Sequence, residues 1–352
     1  MANLRFATIG TSAICELFLE AAADVEGFQY CAAYSRDMKR AHAFARTHGA
    51  DLAFDSLESL AASPDIDAVY IASPNAMHAA QAELLLKSAK HVLCEKPLAS
   101  HECEVNELFA CAHDNGVVFM EAIRNIHDPG FALLRDKVAE LGNIHTATLR
   151  FSKLSARYLE LQTGSLPNVF DPRLSGGALM DLGVYCVSSM VGLFGKPQRI
   201  CASGIVEDLS SLVEGSPHKR IDVTGEILCH YEGFVVNLSY GKISDNHLPS
   251  QIQGSNASLL IDSITDPRSL KLMVPKLQTG AYATGEATEH EIQVSGAQNN
   301  MCYELQDFIR AATGEGPQDW LALIHEPLSR DTMTVMDEIR RQLSVSFPAD
   351  EQ

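Results

Sequence analysis

The chain has 352 residues, which is enough for two hydrophobic cores, and its 46% hydrophobic and 20% charged content is ordinary for a globular protein. Its 27 basic and 45 acidic side chains give a formal net charge of −18, which argues against a nucleic acid or an anionic membrane surface as a partner. The N-terminus lacks a cationic stretch followed by a long apolar region, and no uninterrupted apolar run approaches the roughly 20 residues of a membrane span. We therefore expect a cytoplasmic protein without a signal peptide.

The nine cysteines are scattered, odd in number and never arranged as a CxxC pair. This pattern is typical of small apolar core residues in a reducing compartment, and it predicts neither disulfides nor a metal site.

The first 120 residues alternate between short apolar runs and segments with helical spacing. Because strands that are apolar on both faces and alternate with helices form parallel sheets covered on each side, this half is predicted to be a doubly wound α/β domain. The predicted strands are 4–9, 29–34, 68–72, 92–94 and 117–121, and the predicted helices are 14–23, 38–47, 56–62, 76–88 and 103–113.

The pattern changes after residue 122, where a helix is predicted over 128–141, followed by a strand, a loop over 161–177 and a helix over 177–193. Residues 198–294 are mostly β, with exposed loops at 207–220 and 275–288, and helices follow near 301–313 and 326–343. Clustered strands after an α/β half predict an α+β domain with an open, mainly antiparallel sheet. We expect domains at 1–122 and 123–325, with a C-terminal segment, 326–352, whose helix packs back on the first domain.

The first strand-to-helix turn lies in "ATIGTSAICELFLEAA". Gly10 keeps the first position of the GxGxxG dinucleotide motif, whereas Ser12 and Cys15 replace the second and third glycines. A serine is small enough for the backbone to approach a pyrophosphate, and the following helix N-terminus offers N–H donors. The predicted cofactor contacts in this turn are Gly10, Thr11, Ser12, Ala13 and Ile14.

The end of the second predicted strand carries Ser35 and Arg36, about 25 residues after the first turn. Enzymes that use NAD usually have an acidic residue there for the ribose 2′-hydroxyl, whereas a hydroxyl beside a guanidinium suits a 2′-phosphate. We therefore predict NADP in preference to NAD, while Asp37 is predicted to cap the next helix.

Two further segments follow predicted strands. The first, "YIASPNAMH", contains Ser73, Pro74, Asn75 and His78, and the second, "LCEKP", presents adjacent opposite charges before a proline. Carboxyl ends of parallel strands are where ligands bind in open α/β sheets, so both segments are predicted to face one site.

The order of the segments "IGTSAI", "SR", "ASPNAMH", "EKP" and "GGALMDLGVY" resembles the Gfo/Idh/MocA oxidoreductase family over nearly the whole chain. The resemblance implies a Rossmann domain that binds NAD(P) and an open-faced sheet domain that forms the substrate site and an oligomer interface. It also implies that Lys96 is catalytic, that Glu95 lies near the nicotinamide with a cis bond before Pro97, and that Pro74, Asn75 and His78 line the nicotinamide ribose.

The segment "DLGVY" departs from the Asp-x-Gly-x-His of many members, because Tyr185 stands where they have histidine. In this respect the chain resembles the branch containing dihydrodiol dehydrogenase and glucose–fructose oxidoreductase. Asp181 and Tyr185 are four residues apart, hence on one helix face. A lysine ammonium about 4 Å from the phenol would lower its pKa by roughly three units, so we expect Tyr185 to titrate near neutrality.

The predicted function is hydride transfer between NADP(H) and a secondary alcohol or carbonyl of a sugar, diol or related small polar substrate. Lys96 and Tyr185 would handle the proton, Asp181 would orient Lys96 or the substrate, and Arg124 would face the cofactor. The alternative is a non-catalytic NAD(P)-binding regulator or sensor. The predicted partners are a small-molecule substrate and further copies of the chain, as a homodimer or homotetramer through the C-terminal sheet.

Overall fold

A computed structural model describes residues 3–276, 286–316 and 324–351. Its N-terminal half contains a six-stranded, fully parallel sheet with the order β3-β2-β1-β4-β5-β6. The strands are β1 Leu4–Ile9, β2 Phe28–Tyr34, β3 Leu52–Phe54, β4 Ala68–Ile71, β5 His91–Glu95 and β6 Phe119–Ala122. The sequence pattern missed β3, because its apolar run of three residues is too short to show the periodicity of a strand.

Five helices cover the two faces of this sheet, as predicted. Asp37 caps the second helix by accepting hydrogen bonds from the backbone N–H groups of Lys39 and Arg40. The buried face of the first helix packs its Phe18 ring on Tyr70 of β4, with ring centroids 3.8 Å apart. The helices are α1 Ala13–Ala22, α2 Met38–Thr47, α3 Leu57–Ala62, α4 His78–Lys87 and α5 Glu102–Asn115.

The second half is built on an eight-stranded sheet with the order β14-β13-β12-β11-β7-β10-β9-β8. Neighbouring strands are antiparallel except β7 and β10, which run parallel at its centre, so the prediction of a mainly antiparallel sheet is confirmed. Its strands are β7 Ile144–Ser152, β8 Arg199–Asp208, β9 Arg220–His230, β10 Val235–Gly241, β11 Ser250–Gly254, β12 Ser258–Ile261, β13 Ser269–Pro275 and β14 Ala287–Gln293.

Six further helices complete the described chain: α6 Arg124–His127, α7 Pro129–Glu140, α8 Ala156–Gln162, α9 Val184–Phe194, α10 Met301–Ala312 and α11 Glu326–Leu343. The sequence pattern missed the short helices α6 and α8. The predicted loop at 207–220 is confirmed between β8 and β9, whereas residues 277–285 of the loop predicted at 275–288 lie outside the described residues.

One helical stretch, Pro172–Phe194, is long and apolar enough to cross a membrane by length and composition alone, contrary to our expectation from the sequence. Of its most apolar window, 78% is buried inside the protein, as in a core helix. It packs between the eight-stranded sheet and α11, which explains its apolar composition.

Four of the nine cysteines are buried, as expected of core residues, but Cys103 and Cys201 are exposed. The interpretation of these two cysteines as core residues is therefore wrong.

Helix α11 contacts both halves of the protein. It packs on α9 and β8 of the second half, and on α5 of the first. Ser329 of α11 donates a 2.8 Å hydrogen bond to Glu121 of β6, and burial raises the pKa of that carboxyl to about 7. The domain limits at residues 122 and 325 stay predictions.

Candidate active site

Strand β5 delivers Lys96 to the carboxyl end of the parallel sheet, and the Lys96–Pro97 peptide bond is cis. The Lys96 ammonium donates hydrogen bonds to two oxygens of Asp181, the backbone carbonyl at 2.8 Å and Oδ1 at 3.1 Å. Asp181 lies in a π-helical turn, Leu179–Gly183, that leads into α9. Asp181 was expected to orient either Lys96 or the substrate, and the structure shows its contact with Lys96.

Tyr185 lies one turn after Asp181, buried on α9. Its ring centroid is 5.0 Å from Lys96 Nζ and 5.9 Å from the guanidinium carbon of Arg124, so both cations face the aromatic ring. Phe151 of β7 packs edge-on against the same ring, with centroids 5.7 Å apart. The tyrosine is thus fixed on one side by the open-sheet half and approached on the other by two cations.

These residues line a cavity of about 370 Å³, within the size range of small-molecule sites. Predicted residues that line it are Ile14, Ser73, Asn75, His78, Glu95, Lys96, Arg124, Asp181 and Tyr185. An adjoining cavity of about 290 Å³ shares several of them and adds Ser12, Pro74, Pro97, Asn168, Gly176 and Gly177. Three of these, Asn168, Gly176 and Gly177, come from the segment before α9, so both halves of the protein contribute to the combined space.

The charges of Lys96 and Asp181 stabilise each other. Burial alone would raise the pKa of the Asp181 carboxyl, but the ammonium groups of Lys96 and Lys242 outweigh it and hold that pKa well below its usual range. Burial likewise opposes the charged form of Lys96, yet its acidic neighbours, Tyr185 and Asp181 foremost, raise the pKa of the ammonium above its usual value. Both groups are therefore ionised at neutral pH.

The expected acidification of Tyr185 is wrong for the structure as it stands. Burial is the largest effect on this phenol and raises its pKa, and the opposing charges of Lys96 and Arg124 do not fully offset it. The sequence argument assumed an ammonium placed on the hydroxyl without counting desolvation. The ammonium instead lies over the ring and is already bound to Asp181, so Tyr185 is a protonated phenol at neutral pH.

Glu95 is buried behind Lys96 and held by two hydrogen bonds. It accepts one of 2.5 Å from the Tyr70 hydroxyl and one of 3.2 Å from the backbone N–H of Lys96. Burial raises the pKa of this carboxyl, with the charge of Lys96 acting in the opposite direction. Glu95 lines the larger cavity, and its place near a nicotinamide stays a prediction.

Glu304 of α10 is a cavity residue that the sequence reasoning missed. It is 1% exposed, and neither of its carboxyl oxygens has a hydrogen-bond partner among the residues that the structure describes. Burial raises the pKa of this group well above its usual value, and the charge of nearby Glu95 adds to the effect, whereas Arg124 opposes it. No motif signalled it, because an acidic residue on an amphipathic helix is ordinarily solvated.

The first turn of the parallel sheet has a backbone conformation that requires glycine at its start. Gly10 has a φ of +115°, and a Cβ at this position would lie 2.8 Å from the carbonyl oxygen of Ala72, so only glycine is accommodated. The N-terminus of α1 follows at Ala13, with Ser12 and Ala13 exposed and Thr11 and Ile14 half-buried. This helix N-terminus follows β1 and therefore lies at the carboxyl edge of the parallel sheet, the edge at which Lys96 lies.

His78 braces the loops beneath the cavity. Its buried ring lies between two backbone carbonyls, with Nδ1 3.0 Å from the Pro97 oxygen and Nε2 2.9 Å from the Ser73 oxygen. Asn75 connects the two halves of the protein by donating a 2.8 Å hydrogen bond to the carbonyl of Ser175. These residues hold together the turns that carry Ser73 and Lys96.

The pair predicted to read the cofactor's ribose, Ser35 and Arg36, lies at the end of β2 and lines neither of the two described cavities. Ser35 is half-buried and Arg36 is exposed. The sequence reasoning missed Arg40 of α2, whose guanidinium donates a 3.5 Å hydrogen bond to the carbonyl of Thr11 in the first turn. Two guanidinium-bearing residues therefore flank this end of the sheet.

The comparison with protein families covers most of the chain. Residues 4–123 match the model of the oxidoreductase family with an NAD-binding Rossmann fold, and residues 131–260 match the Gfo/Idh/MocA C-terminal domain. The chain belongs to the Gfo/Idh/MocA oxidoreductase family. The predicted family, the Rossmann domain and an NAD(P)-dependent dehydrogenase activity are thereby confirmed.

The chain is similar to characterised family members over its full length. It is 38% identical to the scyllo-inositol 2-dehydrogenase (NADP+) of Bacillus subtilis over 99% of both chains. It is 32% identical to the rabbit trans-1,2-dihydrobenzene-1,2-diol dehydrogenase over 92% of both. A 3-ketoreductase from Actinomadura kijaniata, whose crystal structure contains NADP, has the same fold with a TM-score of 0.77, at 22% identity and coverage of 97% of this chain and 98% of that one.

Proposed function

We propose that this family member oxidises a secondary alcohol of a cyclic polyol, or of a related sugar or diol, with NADP+, and that it catalyses the reverse reduction. The observation that carries the proposal is the convergence of Lys96, Asp181 and Tyr185 on one cavity beside the dinucleotide turn. Full-length similarity to an NADP-dependent inositol dehydrogenase supports the polyol, and similarity to a diol dehydrogenase supports the wider alcohol class.

The cofactor-binding residues follow the carboxyl edge of the parallel sheet. The turn at residues 10–14 would hold the pyrophosphate, and the segment at residues 73–78 would line the nicotinamide ribose, with His78 acting by bracing the turns. Glu95 and Arg124 would flank the nicotinamide. Once bound, this cofactor exchanges a hydride with the carbinol carbon of the substrate.

The protein's own side chains handle the proton and the charge on the reacting oxygen. Lys96 is positioned by Asp181 and would donate a hydrogen bond to that oxygen, which stabilises the negative charge that develops during hydride transfer. Because Tyr185 is protonated at neutral pH, it would serve first as the acid that delivers a proton during carbonyl reduction. In the oxidative direction it must lose that proton before it can act as a base.

A preference for NADP over NAD would come from Ser35 and Arg36, with Arg40 as an additional cation. Arg36→Ala should raise the KM for NADP+ by about tenfold while leaving that for NAD+ within about twofold, because only the former carries the 2′-phosphate. Steady-state kinetics with both cofactors test this. An equal change for both would assign the phosphate to other residues.

The function is tested by incubating the purified protein with NADP+ or NAD+ and a panel of inositols, acyclic polyols, aldoses and vicinal diols, following absorbance of the reduced nicotinamide. We expect the largest rates with NADP+ and a cyclic polyol, and loss of the signal in Lys96→Met. Binding of NADPH without turnover of any member of the panel would refute the proposal and favour a regulator or sensor.

We also propose that the chain forms a homodimer or homotetramer through its open sheet. The exposed face of the sheet carries large apolar side chains, with Ile205 of β8 53% exposed and Leu228 of β9 45% exposed. Light scattering of the wild type and of Leu228→Glu tests this, since a charge in the interface should shift the protein towards the monomer. A monomeric wild type would overturn it.

A further inference from the structure

A second lysine is built into the active site behind Asp181. Lys242 directly follows β10, is 6% exposed, and its ammonium forms an ion pair with Oδ2 of Asp181. Lys96 binds the other carboxyl oxygen, Oδ1, at 3.1 Å. The carboxylate is therefore shared between two lysines from opposite halves of the protein.

The backbone of Lys242 is fixed as firmly as its side chain. Its N–H donates a 2.9 Å hydrogen bond to the carbonyl of Val223, and its own carbonyl accepts one of 2.9 Å from Ser155. The two bonds tie the end of β10 to β9 on one side and to the turn before α8 on the other. Lys242 therefore approaches Asp181 from a preset direction, unlike a long surface lysine that samples many rotamers.

The second lysine changes the net charge of the cluster around Asp181. Lys96 and Asp181 alone would form a neutral pair, whereas two ammonium groups and one carboxylate leave one net positive charge in a mostly buried cluster. Removing charge from water is unfavourable, so a neutral pair would be the simpler solution if the cluster only held the fold together. With the second cation present, the carboxylate of Asp181 does not by itself cancel the charge of Lys96, which lines the cavity.

We propose that Lys242 is a positioning residue of this active site: by binding the second oxygen of Asp181, it leaves Lys96 a net positive charge directed at the nicotinamide and the reacting oxygen. Its catalytic consequence rests on the proposed function, but its effect on cofactor binding does not. An oxidised nicotinamide ring is cationic and a reduced one is neutral, so a positive cluster beside the ring disfavours the oxidised form.

The first experiment measures dissociation constants for NADP+ by calorimetry and for NADPH by fluorescence, in the full-length wild type and in Lys242→Met. We expect the ratio of the NADP+ constant to the NADPH constant to fall about tenfold in this variant, because one nearby positive charge is lost. Lys242→Arg should preserve the wild-type ratio. Lys271→Met is the matched control. Lys271 of β13 pairs with Glu289 of β14 at the edge of the eight-stranded sheet, and its removal changes the net charge by the same amount.

The second readout is the pH profile of polyol oxidation. The charged and titratable groups that act on Tyr185 are Lys96, Arg124, Glu95 and Glu304, and Lys242 adds to them through Asp181. Losing Lys242 should move the rising limb of the profile up by about one pH unit, because a weaker positive potential favours the phenol. Lys242→Arg should restore the limb to its wild-type position.

The proposal is overturned if Lys242→Met changes neither the ratio of the two dissociation constants nor the position of the rising limb of the pH profile. A lower melting temperature with both of these unchanged would show that Lys242 has only a structural role. If Lys242→Met does not fold, Lys242→Gln keeps a hydrogen-bond donor without the charge, and the same two outcomes decide. A wild type that binds both cofactors but turns over no alcohol refutes the proposed function and leaves the binding ratio as the deciding measurement.

Discussion

The two walls of the candidate active-site cavity differ in whether their buried ionisable groups are paired. One wall carries Lys96 and Asp181, and Lys242 binds the second carboxyl oxygen of Asp181 from behind this wall. The other carries Glu304, whose buried carboxyl has no hydrogen-bond partner within the described part of the chain. Burying an ion without a partner costs several kcal/mol, so the first wall keeps its charges by pairing them, whereas burial of Glu304 favours the uncharged carboxyl and raises its pKa.

The contrast places paired charges and an unpartnered buried carboxyl around the same cavity. The lysine wall is preorganised, because its side chains are fixed before any substrate arrives. The carboxyl of Glu304 is buried without being satisfied, which is typical of a group that acquires its partner from a ligand.

The largest effect is expected for Lys96→Met. It removes the cation that would contact the reacting oxygen, so kcat for polyol oxidation should fall by about 10³-fold or more. Asp181 keeps Lys242 as its partner, so the variant should fold and bind NADPH within about threefold of the wild type. Fluorescence titration and steady-state kinetics measure both quantities, and a wild-type-like rate would contradict the assigned role.

A smaller effect is expected for Tyr185→Phe. Its kcat for carbonyl reduction at neutral pH should fall by about 10- to 100-fold, less than for Lys96→Met, because the neighbouring ammonium can still deliver a proton. Because burial raises the pKa of the wild-type phenol, wild-type polyol oxidation should become faster from about pH 7 to about pH 10. A wild-type profile that is flat over this interval would show that Tyr185 is acidic after all.

The smallest effect is expected for Glu304→Gln, and it concerns stability. The raised pKa of the folded-state carboxyl adds stability that is fully present below the unfolded-state pKa of about 4.5 and is lost as the pH rises through the folded-state pKa. The glutamine variant lacks this loss, so its free energy of unfolding should exceed that of the wild type by about 1–2 kcal/mol at pH 8 and much less at pH 5. Urea denaturation at the two pH values measures the difference.

Glu107→Gln is the control for this prediction, because Glu107 is exposed on α5 and should change stability equally little at both pH values. If Glu304→Gln is as stable as the wild type at pH 8, or less stable, Glu304 is an ionised and satisfied group, and the contrast between the two walls is wrong.

The residues found from the sequence share one property: each stands at a recognisable place relative to a strand or a helix. Gly10 follows β1, Asn75 follows β4 and Lys96 follows β5, and parallel strands bring their carboxyl ends to one edge. Asp181 and Tyr185 were paired by their four-residue spacing, which survives even though Asp181 lies in a π-helical turn before α9. Such positions are local in the chain or follow from the topology of a repeated unit.

The residues that the sequence did not reveal depend on packing between distant segments. In the sequence, Lys242 is an ordinary lysine after a strand and Glu304 is an acidic residue on an amphipathic helix. In the structure both are buried, because β10 packs on α9 and α10 packs on α1. The sequence predicts a lowered pKa for Tyr185, whereas burial raises it, because desolvation depends on every segment that covers the ring.

The sequence by itself predicted the α/β half and the mainly antiparallel half, because apolar periodicity is a local property of the chain. It predicted the dinucleotide turn and the Lys96–Asp181–Tyr185 set from strand-end motifs and from the resemblance to the Gfo/Idh/MocA family. Only the tertiary structure decided which charges of this set are neutralised and which are left over. Electrostatic energy in a protein interior depends on the distances between charges and on the exclusion of water. Both are set only by the packing of β10 and α10 in the folded protein.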